Sequence, residues 1–351
     1  MRSALIAILA FAAGILLMQI VGGHAGWIGS QAATPALAVS HAGKPAATAT
    51  AETGQSQDDA ASGNDNWPAD APSPEQVIYD QPRLMQEAIR QLRPRTPGQT
   101  NLYAITFAGD GEENVFRNEA EYGAQLVDKR LAAPGHSLLL ENNPDTLQSQ
   151  PLASWSNLES GLAALAKVMN PQQDILLLYL TTHGSEDHSL LVDMDPLPLD
   201  QIGTGDLARI LKKYPFKWKV VVVNACYSGG FVPELHGAGT LVLTAAAADR
   251  SSFGCSNDSA ATYFGRAWLV DGLNQTPDFI AAFHRASTEV GQWEHRDQLE
   301  PSEPQIDTGS GIEGQIRNWS AHVRPTPTLD YPLRPAHAAD ANDQDAADEA
   351  D

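Results

Sequence analysis

The sequence predicts an α/β domain: a mostly parallel sheet with helices on both faces. Three observations carry this. Apolar runs of strand length alternate along the chain with segments of helical spacing. Two of the runs, Asp174–Thr182 (DILLLYLTT) and Trp218–Asn224 (WKVVVVN), are apolar on both faces, as strands buried in a parallel sheet are. Residues 76–325 carry nearly all the aromatic residues and the aliphatic runs, and about 250 residues fit one such domain.

Taken in order, Leu84–Leu92 has helical spacing, and Asn101–Gly109 (NLYAITFAG) reads as a buried strand ending in glycine. Asp110-Gly111 is a turn. Glu113–Leu131 has helical spacing, with Val115, Ala120, Tyr122, Leu126 and Leu131 on the inner face and acidic residues near its start. Ser137–Glu141 is a short strand and Leu158–Met169 a helix. After the strand at Asp174–Thr182 come a short edge strand, Leu190–Val192, and a helix, Gly203–Tyr214. Trp218–Asn224 and Gly239–Thr244 are the last strands; Ala260–Leu269 and Asp278–Gly291 are helices.

The flanks differ in kind. Residues 1–25 are a signal peptide or signal anchor: Ala4–Gly23 is apolar except for Gln19, one Arg precedes it, and no Lys or Arg follows until Lys44. Gly23-His24-Ala25 would suit cleavage, while the length of the run favours an uncleaved anchor in the cytoplasmic membrane. Either way the domain is expected on the periplasmic side of that membrane. Residues 26–75 read as a disordered low-complexity linker and residues 326–351 as a Pro-rich, acidic disordered tail. With 22 Lys+Arg against 43 Asp+Glu, the formal net charge of −21 repels phosphates and excludes nucleic acid as a partner.

Ligands of open parallel sheets sit beyond the carboxyl ends of the strands. There the chain places Thr182-His183-Gly184 after one strand and Asn224-Ala225-Cys226-Tyr227-Ser228-Gly229-Gly230 after the next. A helical crossover links the two strands, which makes them parallel and close. A free thiol has a pKa of about 8.5, so it needs a base beside it; an imidazole takes its proton and later donates to the leaving amine. The N–H groups of Gly184 and Cys226 are candidates for an oxyanion hole. Gly229 and Gly230 would let the chain bend away after the nucleophile. This chemistry requires no cofactor and no metal.

These residues carry a resemblance. DILLLYLTTHGSEDHSLLV (174–192) and KVVVVNACYSGGF (219–231) resemble the two catalytic blocks of the legumain-type (asparaginyl endopeptidase) family, in the caspase-like clan of cysteine peptidases. LTAAAADRSSFGC (243–255), TYFGRAW (262–268) and, more weakly, FAGDGEENVFRNEAEYGAQL (107–126) are similar too. The resemblance implies a caspase-like three-layer sandwich, His183 as general base and acid, Cys226 as nucleophile, and Gly184 in the oxyanion hole. It implies a cysteine endopeptidase acting on a protein or peptide through a thioester acyl-enzyme. It also implies a substrate pocket drawing on Arg117, Asn224, Ser251, Ser252, Phe253 and Arg266. The chain departs from the asparagine-specific pattern at Asn224, Asn118 and Arg266, where the family has an acid, a His and an Asp. A pocket holding Arg117 and Arg266 would favour an acidic or neutral polar side chain over a basic one.

Other readings are weaker. Ser228-Gly229-Gly230 does not complete Gly-x-Ser-x-Gly, because Cys226 stands where its first Gly should be. His183, Glu186, Asp187 and His188 do not fit a His-Glu-x-x-His zinc helix. A Cys226–Cys255 disulfide would silence the nucleophile, although relatives keep the second Cys separate from the catalytic one. A transamidase of the same fold and an inactive envelope-anchored scaffold are the functional alternatives.

Overall fold

Residues 67–256, 259–324 and 326–331 are described by a computed structural model, and all belong to one unit, Asp58–Asp351. Ser73 opens the first helix, α1 (Pro74–Gln91). Its hydroxyl accepts the Gln76 N–H, the Gln76 side chain accepts the Ser73 N–H, and Pro74 occupies a position where its missing N–H is harmless. The segment expected at Leu84–Leu92 is the second half of this helix. Pro82 and the polar residues before it hide the first half from a periodicity argument.

The chain continues through β1 (Leu102–Ala108), α2 (Asn114–Gln125), β2 (Ser137–Glu141), α3 (Trp155–Val168) and β3 (Ile175–Thr181). The two-residue strands β4 (Ser189–Leu190) and β5 (Ile202–Gly203) pair with each other, followed by α4 (Thr204–Lys212), β6 (Trp218–Asn224) and β7 (Thr240–Thr244). Then come α5 (Phe279–Arg296), β8 (Gln305–Thr308) and α6 (Ile312–Ser320). π-Helical turns extend α2 (Leu126–Arg130) and lie between β7 and α5 (Gly265–Gly272).

The main sheet has the order β2-β1-β3-β6-β7-β8; its first five strands are parallel and β8 runs antiparallel to β7. Strand side chains alternate between faces, and the two cores follow that period. Leu177 and Tyr179 of β3 and Val220 and Val222 of β6 pack with Tyr122, Trp268, Phe279 and Ile316 on one face. Leu176, Leu178, Val221 and Val223 pack with Met85, Leu162 and Leu207 on the other. This is the expected α/β architecture with both faces covered, and the sheet and its helices agree with a caspase-like fold.

The domain is wider than 76–325. Trp67 packs against the cluster of Val77, Leu147, Leu152, Met194 and Leu197, and Leu329 and Tyr331 pack against the core under α5. Residues 67–75 and 326–331 thus belong to the fold rather than to disordered flanks. Among the described residues no helix is long and apolar enough to cross a membrane. The apolar run 4–23, and with it the expected signal or anchor, lies outside the described residues.

Candidate active site

β3 and β6 are neighbours in parallel register, with Ile175 opposite Trp218 and Thr181 opposite Asn224. His183 follows Thr181 by two residues and Cys226 follows Asn224 by two, so both emerge at the same level of the sheet's carboxyl edge. Gly184 presses against the chain at Cys226: a Cβ on Gly184 would collide with the Cys226 carbonyl oxygen. Gly184 also faces Leu190 in an antiparallel bridge whose two bonds come from flanking residues, Leu191 N–H to His183 C=O (3.0 Å) and Ser185 N–H to Ser189 C=O (3.1 Å). The hairpin therefore leaves the Gly184 N–H out of its ladder.

The sharp turn after Cys226 is made differently from the sequence-based expectation. Tyr227, not a glycine, takes the left-handed conformation (φ 55°), held by its N–H donating to the Arg250 carbonyl at 2.7 Å. Gly229 and Gly230 serve close packing instead. A side chain on the first would run into the Ala247–Ala248 backbone, and one on the second into the His188 ring.

The Cys226 sulfur accepts the Ser252 N–H at 3.2 Å and touches the Ser252 hydroxyl at 3.5 Å. Interaction with the other thiol, Cys255, favours the charged form of the His183 ring, whose N–H is then the donor. Cys255 packs beside Phe116, whose ring meets His183 edge-on at 5.0 Å between centroids. Both cysteines are free, so no disulfide closes the site. Two carboxylates face His183 Nε2: Glu113 Oε2 at 3.4 Å and Asp110 Oδ2 at 3.6 Å. The Cys255 hydrogen bond first, then these two acids, outweigh burial and raise the His183 pKa to about 9. Burial pushes Asp110 up to about 6, although the Glu112 N–H bonds its carboxylate at 2.7 Å. Asp110 follows β1 and Glu113 is the N-cap of α2, so a strand end and a helix start converge on the imidazole that follows β3. The ligand atoms of Asp110, Glu113 and His183 all lie within 4.8 Å of one another, a metal-capable grouping different from the His183–His188 loop considered from the sequence.

Beneath the pair lies Glu119, fully buried. One of its oxygens accepts from Thr181 Oγ1 (2.7 Å), Asn224 Nδ2 (2.7 Å) and Tyr179 OH (2.9 Å); the other accepts from the Thr262 N–H (2.7 Å) and hydroxyl (2.8 Å). Burial raises its pKa against those five bonds. The network ties together the ends of β3 and β6 and the segment leading to Gly265.

The pocket residues expected from the resemblance separate into two groups. Ser252 is on the Cys226 sulfur, and exposed Ser251 reaches the Tyr227 hydroxyl at 3.4 Å. Tyr227, Ser251 and Phe253 line a cavity of about 290 Å³ with Asp249, Arg250, Glu300 and Pro301. Asn224, by contrast, is 1% exposed and its amide is held by Glu119, Tyr179, Thr181 and Thr262, so it is a buried brace rather than a substrate contact. Arg117 is held by Asn143 (2.7 Å), Asp145 (2.8 Å) and Glu121 (3.1 Å), and Arg266 turns to Asp271 (2.9 Å). An acid-preferring pocket rested on two uncommitted arginines; both are neutralised, and that preference loses its basis.

Asp110, Glu113 and Glu119 escaped the sequence reading. Glu119 had a signal: it lies four residues after Val115 and three before Tyr122, a charge set in the apolar stripe of its helix. Asp110 stands just past the carboxyl end of a strand, where His183 and Cys226 were found.

The Peptidase C13 family model matches residues 156–314, a span that contains His183, Gly184, Cys226, Ser251, Ser252 and Arg266 but not the 107–126 block. No curated protein matches the chain. With the mixed, mostly parallel sheet and the two motifs at adjacent strand ends, the match over residues 156–314 supports a legumain-like cysteine peptidase of the Peptidase C13 type.

Proposed function

We propose that the chain is an endopeptidase in which Cys226 is the nucleophile, His183 the general base and acid, and the Gly184 and Cys226 N–H groups the oxyanion hole. The observation that carries this reading is the matched position of His183-Gly184 and Cys226 on neighbouring parallel strands, with Gly184 against the Cys226 carbonyl. His183 holds the proton as imidazolium, and the Cys226 thiolate attacks the scissile carbonyl carbon. The carbonyl electrons move to oxygen, where the two N–H groups hold the negative charge. Collapse of this adduct breaks the C–N bond, His183 protonates the leaving amine, and a thioester remains on Cys226. Water, deprotonated by His183, then releases the acid product. The cavity lined by Tyr227, Ser251 and Phe253, chain neighbours of Cys226 and Ser252, suits a substrate side chain. The chain acts on proteins or peptides of the cell envelope, carried there by residues 4–23.

The test is a quenched-fluorescence peptide library with wild type, Cys226→Ala, His183→Ala and Cys255→Ala. Cys226→Ala and His183→Ala each lower kcat/KM by at least about 10³-fold, while Cys255→Ala keeps it within about tenfold. Activity that survives Cys226→Ala but is lost in Cys255→Ala would transfer the nucleophile to the thiol that touches His183. For location, cell fractionation finds the chain in the envelope, and recovery in the cytoplasm overturns that part.

A further inference from the structure

We propose that Asp110, Glu113 and His183 form a zinc-type cation site that captures the catalytic imidazole and switches the peptidase off. The inhibitory part rests on the proposed function; the site itself does not.

The distances favour a shared ligand over a simple ion pair. A charge-assisted N–H···O bond closes to about 2.7–2.9 Å, and neither oxygen comes that near Nε2. Glu113 Oε2 at 3.4 Å and Asp110 Oδ2 at 3.6 Å are instead close to the edges of a tetrahedron whose ligands sit about 2.0–2.1 Å from its centre, roughly 3.3–3.4 Å. Two further observations point into the same space. Glu113 occupies the N-cap of α2 yet makes no cap bond, and its Oε2 is buried with no hydrogen-bond partner. The Asp110 side chain is 3% exposed, and its Oδ2 faces the ring. An imidazole with two carboxylates suits zinc and its first-row neighbours, whereas calcium and magnesium prefer oxygen-only shells. With three protein ligands a fourth position stays open to water. A metal on Nε2 occupies a lone pair that His183 needs for its proton cycle, so turnover stops until the ion leaves.

The experiment uses the full chain with both thiols removed, Cys226→Ala/Cys255→Ala, so that zinc cannot be held by sulfur. Zinc chloride titrated calorimetrically is expected to show one tight site. Glu113→Gln and Asp110→Asn in that background, checked for fold by circular dichroism, should each weaken it at least tenfold. Calcium should bind at least tenfold more weakly than zinc. No tight site in the thiol-free chain, zinc affinity within twofold of the parent in both carboxylate variants, or calcium binding as tightly overturns the site. In wild type, zinc should abolish peptide cleavage and a chelator restore it. Zinc that fills the calorimetric site while cleavage continues unchanged overturns the inhibitory role. If wild type cleaves no peptide but zinc still binds, only the proposed function fails.

Discussion

At the residue scale the chemistry turns on one proton. A His183 pKa of about 9 puts the ring in its imidazolium form at neutral pH, against an ordinary value near 6.5. In the proposed mechanism such a ring already holds the proton that the leaving amine needs. The Cys255 hydrogen bond is the largest cause, with Glu113 and Asp110 adding charge attraction. Removing any of the three moves the alkaline limb of the pH–kcat/KM profile to lower pH, Cys255→Ala furthest, Glu113→Gln and Asp110→Asn less. A limb that stays in place in all three variants would contradict this cause. The same pKa has a stability consequence. Because the folded value is raised, the contribution is complete below pH 6.5 and is lost as pH climbs through about 9. Thermal melts at pH 6 and pH 10 should therefore show a smaller alkaline drop in His183→Ala than in wild type.

At the element scale the site is a junction held from below. Thr181, Asn224 and Thr262 come from β3, β6 and the segment before Gly265, and all donate to Glu119. Cutting that carboxylate back to a methyl, Glu119→Ala, leaves five buried donors without their acceptor, which costs roughly 3 kcal/mol or more. Glu119→Gln keeps the shape and most of the bonds and should cost far less. Urea unfolding distinguishes them, and equal midpoints would show that the network carries no weight. Gly184 is the second joint. Gly184→Ala must push the turn away from Cys226, and about a 10²-fold fall in kcat is expected from a misplaced oxyanion donor. The strands on either side were legible because each is a run of seven residues with an apolar majority, and His183 and Cys226 because they end those runs. Glu119, Asp110 and Glu113 were not: their roles come from which strand ends the sheet order brings together, and β1, β3 and β6 become neighbours only in three dimensions. β8 (QIDT) was missed because it has a single apolar residue, Ile306, too little to mark a strand. α6 shows a stripe at Ile312, Ile316 and Trp319, but at nine residues it is too short to stand out among its Pro, Ser and Gly neighbours.

At the scale of the whole molecule the boundary of the domain is set by packing rather than by composition. The segment 326–331 reads as the start of a Pro-rich tail, yet it is stitched to the core face that carries α5. Leu329 exchanges bonds with the Asn274 side chain (2.9 and 3.0 Å), and its carbonyl accepts the Tyr122 hydroxyl at 2.9 Å. Tyr331 donates to the Ala260 carbonyl at 2.8 Å and meets Tyr122 edge-on at 4.9 Å. Thr326 adds a bond to the Arg130 carbonyl at 3.1 Å. The five bonds at about 1 kcal/mol net each, with about 1.5 kcal/mol each from the partial burial of Leu329 and Tyr331, outweigh an ordering cost of about 1 kcal/mol per residue, so roughly 2 kcal/mol remains. In a domain of this size 1 kcal/mol moves Tm by about 2–4 °C. A chain ended at 325 should therefore melt about 4–8 °C below one ended at 331 under the same buffer, with Tyr331→Ala between them. Ala260 and Tyr122 flank the segment that leads to Thr262 and the helix that carries Glu119, so loosening this strap should also lower kcat more than KM changes. Identical melting of the two truncations would return residues 326–331 to the role of a tail.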